Sequence, residues 1–200
     1  MLNLPKKTEL NQPLAKKAIF AKFKPDASER KRFDRDISRM VIVNEVSPES
    51  VNIAKGKSIA SFHVVHIALR QTKCDSKNLA LLSKLVKQNM LFVLEHNGVA
   101  WLAVVRSGRV VESEPKPLHE WELKLTGLDM DAVWDNIIVD IGGLTIAEGN
   151  TLDEQIEANA EQEKLKRKIE GLERKAWSEK QPKRKWELNE EVKHLRDKME

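Results

Sequence analysis

Two hydrophobic periods run along this chain, and the places where one gives way to the other mark its elements. Leu14, Ala18, Phe20, Ala21 and Phe23 form a helical stripe, with Pro13 where a first helical turn tolerates it and Pro25 as the stop. A second helix is predicted from about Ser28, with Phe33, Ile37 and Met40 on one side. Its other side carries Arg30, Lys31, Arg32, Arg35 and Arg39. Met40 to Val46 then reads as a β-branched strand. In Ser47-Pro48-Glu49-Ser50 a capping serine, a proline at the first helical position and an acid open a short helical turn closed by Gly56. Ile59 to Leu69 predicts a strand with Val65, Ile67 and Leu69 on one face. Ser76 is predicted to cap a helix with Leu79, Leu82 and Val86 on its stripe.

Met90 to Leu94 and Val99 to Val105 flank His96-Asn97-Gly98, the strongest hairpin signal present, because Asn-Gly accepts positive φ at both centres of a type I′ turn. Both strands are apolar at nearly every position, which predicts burial on two sides. Arg109 to Glu112 and Trp121 to Leu125 are predicted as further strands, and Asp129 or Asp131 as the cap of a helix carrying Val133, Ile137, Ile138 and Ile141. After a linker at 144–151, two charged helices carry short seams, Leu165, Ile169, Leu172 and Ala176, then Leu188, Val192, Leu195 and Met199. Each seam spans about two heptads, fewer than an independent coiled coil uses. The pattern predicts an α+β fold, a mixed, mostly antiparallel sheet of about five strands with helices packed on it, followed by a C-terminal antiparallel helical hairpin. Residues 1–150 form the α+β domain and 151–200 the hairpin. Trp177 and Trp186 flank the hairpin turn, where they either clasp it or present a surface to a partner.

Charge changes this picture only locally. Lys and Arg exceed Asp and Glu by 35 to 31, and the excess is uneven. Residues 1–40 hold eleven cations against five acids, 41–150 eleven against thirteen, and 151–200 thirteen of each. Arg30, Lys31, Arg32, Arg35 and Arg39, and at the hairpin turn Lys183, Arg184 and Lys185, are therefore candidate contacts for phosphate backbones. Cys74, the single cysteine, excludes an intrachain disulfide and a cysteine-based zinc site. The first residues lack the apolar core of a signal peptide, and the longest apolar runs are far shorter than a bilayer span, so a cytoplasmic protein without membrane contact is expected.

Three stretches suggest a chemistry. Gly56-Lys57-Ser58 resembles the end of a phosphate-binding loop, but Val51 stands where that loop needs its first glycine. His63 and His66, three apart on a strand, point to opposite faces and do not share one ion. Glu122-Leu123-Lys124, with Glu112 or Glu114 upstream, supplies the residue types of a Mg²⁺-dependent nuclease. No catalytic residue, metal site or cofactor is assigned from the sequence.

Five stretches carry a resemblance: Met1-Leu2-Asn3-Leu4-Pro5; Ser47 through Gly56; Leu91-Phe92-Val93-Leu94-Glu95; Leu125-Thr126-Gly127-Leu128-Asp129-Met130-Asp131; and Glu179 through Asn189. In this order they are similar to the bacterial domain-of-unknown-function family numbered 4391. The resemblance implies company with DNA methyltransferases and superfamily-2 helicases in restriction or phage-defence loci, and it carries over no catalytic set. Trp134 stands where the family leads one to expect Tyr, which implies packing at that position. The expectation is an accessory, non-enzymatic subunit docking on a helicase or DNA methyltransferase through its α+β body. A sequence-nonspecific nucleic-acid-binding protein is the alternative, and the Mg²⁺ nuclease stands third.

Overall fold

The computed structural model describes residues 1–85 and 88–198, and the chain divides into two compact units, Met1–Thr145 and Ile146–Glu200. The first contains β1 (Glu9–Pro13), α1 (Lys16–Phe23), α2 (Ala27–Asp36), β2 (Ile37–Val46), α3 (Pro48–Val51), β3 (Phe62–Leu69) and α4 (Ser76–Leu82). It continues with β4 (Asn89–His96), β5 (Val99–Arg106), β6 (Arg109–Glu112), β7 (Lys116–Pro117) and α5 (Met130–Gly142). The second holds α6 (Leu152–Ser178) and α7 (Pro182–Asp197), packed as a helical hairpin.

The strands build one mixed seven-stranded sheet in the order β1-β2-β3-β4-β5-β6, with β7 also on β5. Every pairing is antiparallel except β3 with β4. A parallel pair needs a crossover, and α4 lies on that connection. The fold class expected from the pattern is therefore the one observed, with two more short strands than anticipated.

Strand alternation gives the sheet two buried faces. On one, Ile42, Val65, Ile67, Phe92 and Leu94 pack with Ile19 of α1, Phe33 of α2 and Leu79 and Leu82 of α4. On the other lie Phe62, Val64, Leu91, Val93 and Leu102, all buried. There the Phe62 ring meets Trp134 of α5 at 5.0 Å between centroids. Trp134 is thus a packing residue, as its place in the sequence implied. Asn97 and Gly98 turn the β4–β5 hairpin at φ 51° and 82°, the pair of positive values that the Asn-Gly signal predicts.

Six expectations need correction. Asp75, not Ser76, caps α4, accepting from Lys77 N–H at 2.9 Å, and Asn52 in the left-handed region, not Gly56, closes α3. Helix α2 ends at Asp36, so Ile37 and Met40 belong to β2; a spacing of four and three from Phe33 suits a helix but does not exclude a strand beginning midway. Asp26, two residues before the expected start, caps α2 through a reciprocal box with Glu29. Pro13 ends β1 rather than opening a helix. Trp121 to Leu125 is no strand: the β5 edge beside it is occupied by β7, paired at Val99 and Ala100. Instead Leu123 N–H donates to the Leu2 carbonyl at 3.1 Å, fastening the chain start. Val86 and Met199, expected on apolar stripes, lie outside the described residues.

Candidate interaction surface

The C-terminal unit begins with a capping box. Thr151 Oγ1 accepts from Glu154 N–H at 3.3 Å, and the Glu154 carboxylate accepts the Thr151 amide at 2.8 Å. That amide, first among the causes, lowers the Glu154 pKa. Along α6 and α7 the predicted seam closes: Ile169, Leu172, Val192 and Leu195 are buried, with Leu165 and Leu188 partly so. Ion pairs Lys168–Glu191 at 3.0 Å and Arg196–Glu173 at 2.6 Å bridge the two helices beside it. Pro182 opens α7 at the first helical position. In the turn, Gln181 N–H donates to Glu179 Oε1 at 2.9 Å.

The seam stops short of the tryptophans. Trp177 is 88% exposed and Trp186 65%, so they do not clasp the turn. Between them Lys180, Lys183, Arg184 and Lys185 are exposed, and none has an ion-pair partner among the described residues. The hairpin therefore gathers two open indoles and four open cations at its turn.

The basic helix α2 is arranged differently. Arg30 Nε donates to the Pro25 carbonyl at 3.0 Å, with its guanidinium over the Phe20 ring. Arg32 Nε donates to Asn78 Oδ1 at 3.3 Å and lies 3.7 Å from Asp75. Arg35 Nε donates to Asp36 Oδ1 at 2.8 Å, and that bond is the first cause of its raised pKa. Three of the five predicted phosphate contacts, Arg30, Arg32 and Arg35, are thus engaged by the protein's own groups, although Arg30 and Arg35 are exposed, like Lys31 and Arg39. For Arg35 the sequence pattern missed the partner, Asp36, because one acid among many cations gives no sign that it is buried. Its carboxylate also accepts from Gln71 Nε2 at 2.8 Å, the Asp75 amide at 2.9 Å and Asn78 Nδ2 at 2.9 Å.

The nuclease residues are not brought together. Glu112 lines a hollow of about 300 Å³ with Cys74 and Trp101, while Glu122 and Lys124 line a separate one beside Asp140. Among the described residues no group of three or more His, Cys, Asp or Glu is placed to hold a metal ion. Burial, the largest cause, pushes the Cys74 thiol up to about 12, so it remains protonated at neutral pH and is a poor nucleophile. His63 and His66 stand on opposite faces of β3, and burial lowers both pKa values. The loop at Gly56-Lys57-Ser58 gathers backbone amides as a phosphate loop does, but the chain's own Asp131 carboxylate occupies them.

What these features define is a mixed α+β sheet protein joined to a charged helical hairpin, with its open chemistry at the hairpin turn. The chain belongs to the family described as Domain of unknown function (DUF4391), whose model matches residues 2–199. No curated protein and no solved structure matches it. Among the described residues no helix is long and apolar enough to cross a membrane.

Proposed function

We propose that this chain is an accessory, non-enzymatic subunit that docks on a DNA helicase or DNA methyltransferase in a bacterial restriction or phage-defence system. The observation that carries this reading is the hairpin turn, where Trp177 and Trp186 stand in water among unpaired cations. Large exposed aromatics are costly to keep in solution and are typical of surfaces that meet another macromolecule. The α+β body offers the protein contact: an open hollow of about 800 Å³ lined by Met1, Leu118, His119 and Trp121, with Met1 itself exposed. The family resemblance supplies the setting.

Coexpression with the products of the genes neighbouring its own tests the reading, which expects a helicase or DNA methyltransferase among them. A tagged full-length chain retains one of them through washing, and Trp121→Ala together with Leu118→Ala weakens the retention. Failure to retain either at any salt concentration would count against it.

A second reading, direct nucleic-acid binding, is favoured by one specific observation. The cations at the hairpin turn, unlike Arg30, Arg32 and Arg35 of α2, are not engaged by the protein's own groups. Both readings draw on the hairpin turn, whereas the hollow of the α+β body belongs to the first alone.

A further inference from the structure

We infer that the hairpin turn is a binding site for single-stranded nucleic acid, in which Trp177 and Trp186 stack on bases while Lys180, Lys183, Arg184 and Lys185 meet phosphates. This rests on the reading of the hairpin as a contact element and names its ligand.

Charge focusing is the first argument. Residues 151–200 carry thirteen cations and thirteen acids, yet positions 175–186 hold five cations (Lys175, Lys180, Lys183, Arg184, Lys185) and one acid, Glu179, while Arg174 pairs with Glu170 at 3.9 Å. Away from the turn the hairpin neutralises itself, through Arg167–Glu163, Lys168–Glu191 and Arg196–Glu173. At the turn Glu179 is taken up by the Gln181 amide. The excess of positive charge is thus concentrated in one part of the stretch 151–200, whose total is zero, which favours a polyanion there.

The second argument is the kind of surface between the charges. The other three tryptophans are buried or half-buried, and Trp121 donates its indole N–H to the Ala100 carbonyl at 2.8 Å. Trp177 and Trp186 alone leave ring faces to solvent, within ten residues of each other in sequence. Cations interleaved with flat aromatics match a strand whose bases are unstacked and free to lie on indoles. A duplex keeps its base faces covered and offers the indoles nothing to stack on. An acidic protein would satisfy the lysines but not the rings. An anionic membrane is disfavoured because positions 178–185 contain no Leu, Ile, Val, Met or Phe to enter acyl chains.

Fluorescence anisotropy with a labelled oligothymidylate of about 20 nucleotides tests this on the full-length chain. The wild type binds at about 50 mM salt, and with about four phosphates neutralised log K falls with log salt at a slope near −3. Trp177→Ala and Trp186→Ala each lower affinity about tenfold or more, while Trp177→Phe and Trp186→Phe hold it within a few-fold, because phenyl still stacks. The triple change Lys183→Ala, Arg184→Ala, Lys185→Ala flattens the salt slope. All these positions are exposed, and an unchanged far-ultraviolet circular dichroism spectrum checks that each variant keeps its helices. The inference is overturned by any of four results. These are no strand binding at low salt, alanine variants that bind as wild type does, tighter binding to a blunt duplex of equal length, or tip-dependent binding to phosphatidylserine vesicles without strand binding. Strand binding uses the purified chain alone, so its failure leaves the pull-down result intact, and the reverse holds equally.

Discussion

Asp131 holds three backbone amides with one carboxylate: Lys57 at 2.7 Å, Ser58 at 3.1 Å and Ile59 at 2.7 Å. The Ile59 bond, the largest cause, lowers its pKa. A depressed carboxylate contributes stability that is present above the unfolded pKa and lost as pH falls through the folded one. Asp131→Asn is therefore less stable than wild type at neutral pH, and the gap in urea midpoint closes below about pH 4. The same fit explains Gly56. A Cβ there would lie 2.4 Å from Asp131 Oδ1 and 2.8 Å from the Asp131 backbone nitrogen, which cannot yield, so Gly56→Ala costs about 1–3 kcal/mol. The pH dependence has the same sign but a different cause at His63, 8% exposed, whose Nδ1 has no hydrogen-bond partner. Burial lowers its pKa and Glu45, 3.9 Å away, partly restores it. Between its folded value and the unfolded value of about 6.5 the unfolded chain holds more protons, so stability drops as pH falls through that window. His63→Gln shrinks the drop and Glu45→Gln deepens it, which denaturation at pH 7 and about pH 5 resolves. Equal pH dependence in all three proteins would discard this account.

At the scale of elements, Asp36 joins the end of α2 to the β3–α4 connection and to α4 through three hydrogen bonds, from Gln71, Asp75 and Asn78, and takes a fourth from Arg35 of its own helix. Asp36→Ala strands the buried Asn78 amide and the Asp75 N–H, at a cost of about 3 kcal/mol in chemical denaturation. A loss within a few tenths of a kcal/mol of zero would mean that water replaces the carboxylate, and the joint would not matter. Elements with strong local signals were legible: the Asn97-Gly98 hairpin, the capped helices at Ser47 and Asp129, and the two helices of the seam. Those whose existence depends on a partner strand were not. β1 is exposed at every residue and lacks alternation, so only its pairing with β2 makes it a strand. Trp121 to Leu125 alternates as a strand should and fails to be one because β7, not this segment, pairs with β5 at Val99 and Ala100. The candidate surface divides the same way. Trp177, Trp186 and the cations at the turn were visible as residues, but their exposure was not, and neither was the capture of Arg32 by Asn78 and Asp75, groups distant in sequence.

Across the whole molecule, stability is unevenly held, and the unevenness can be measured. Strands β3, β4 and β5 lie between two apolar layers, with Phe62, Val64, Val65, Ile67, Leu91, Phe92, Val93 and Leu94 sealed from water. Helix α7 has one narrow stripe, Val192 and Leu195 with part of Leu188, and no side-chain cap at its start. A helix of 16 residues held by two buried side chains opens at far lower free energy than a strand paired on both edges. Native-state hydrogen exchange read by mass spectrometry should rank the amides of β3, β4 and β5 slowest and those of α7 among the fastest in regular structure. Adding salt should speed exchange in α7 further, because Lys168–Glu191 and Arg196–Glu173 are solvent-exposed pairs that salt screens. Single-stranded oligonucleotide should slow it, since a ligand of the ordered turn favours the ordered hairpin by mass action. Protection of α7 equal to that of β4 would show that the hairpin is locked into the cooperative unit of the sheet. A turn that opens and closes independently of the core would then be ruled out as the working part.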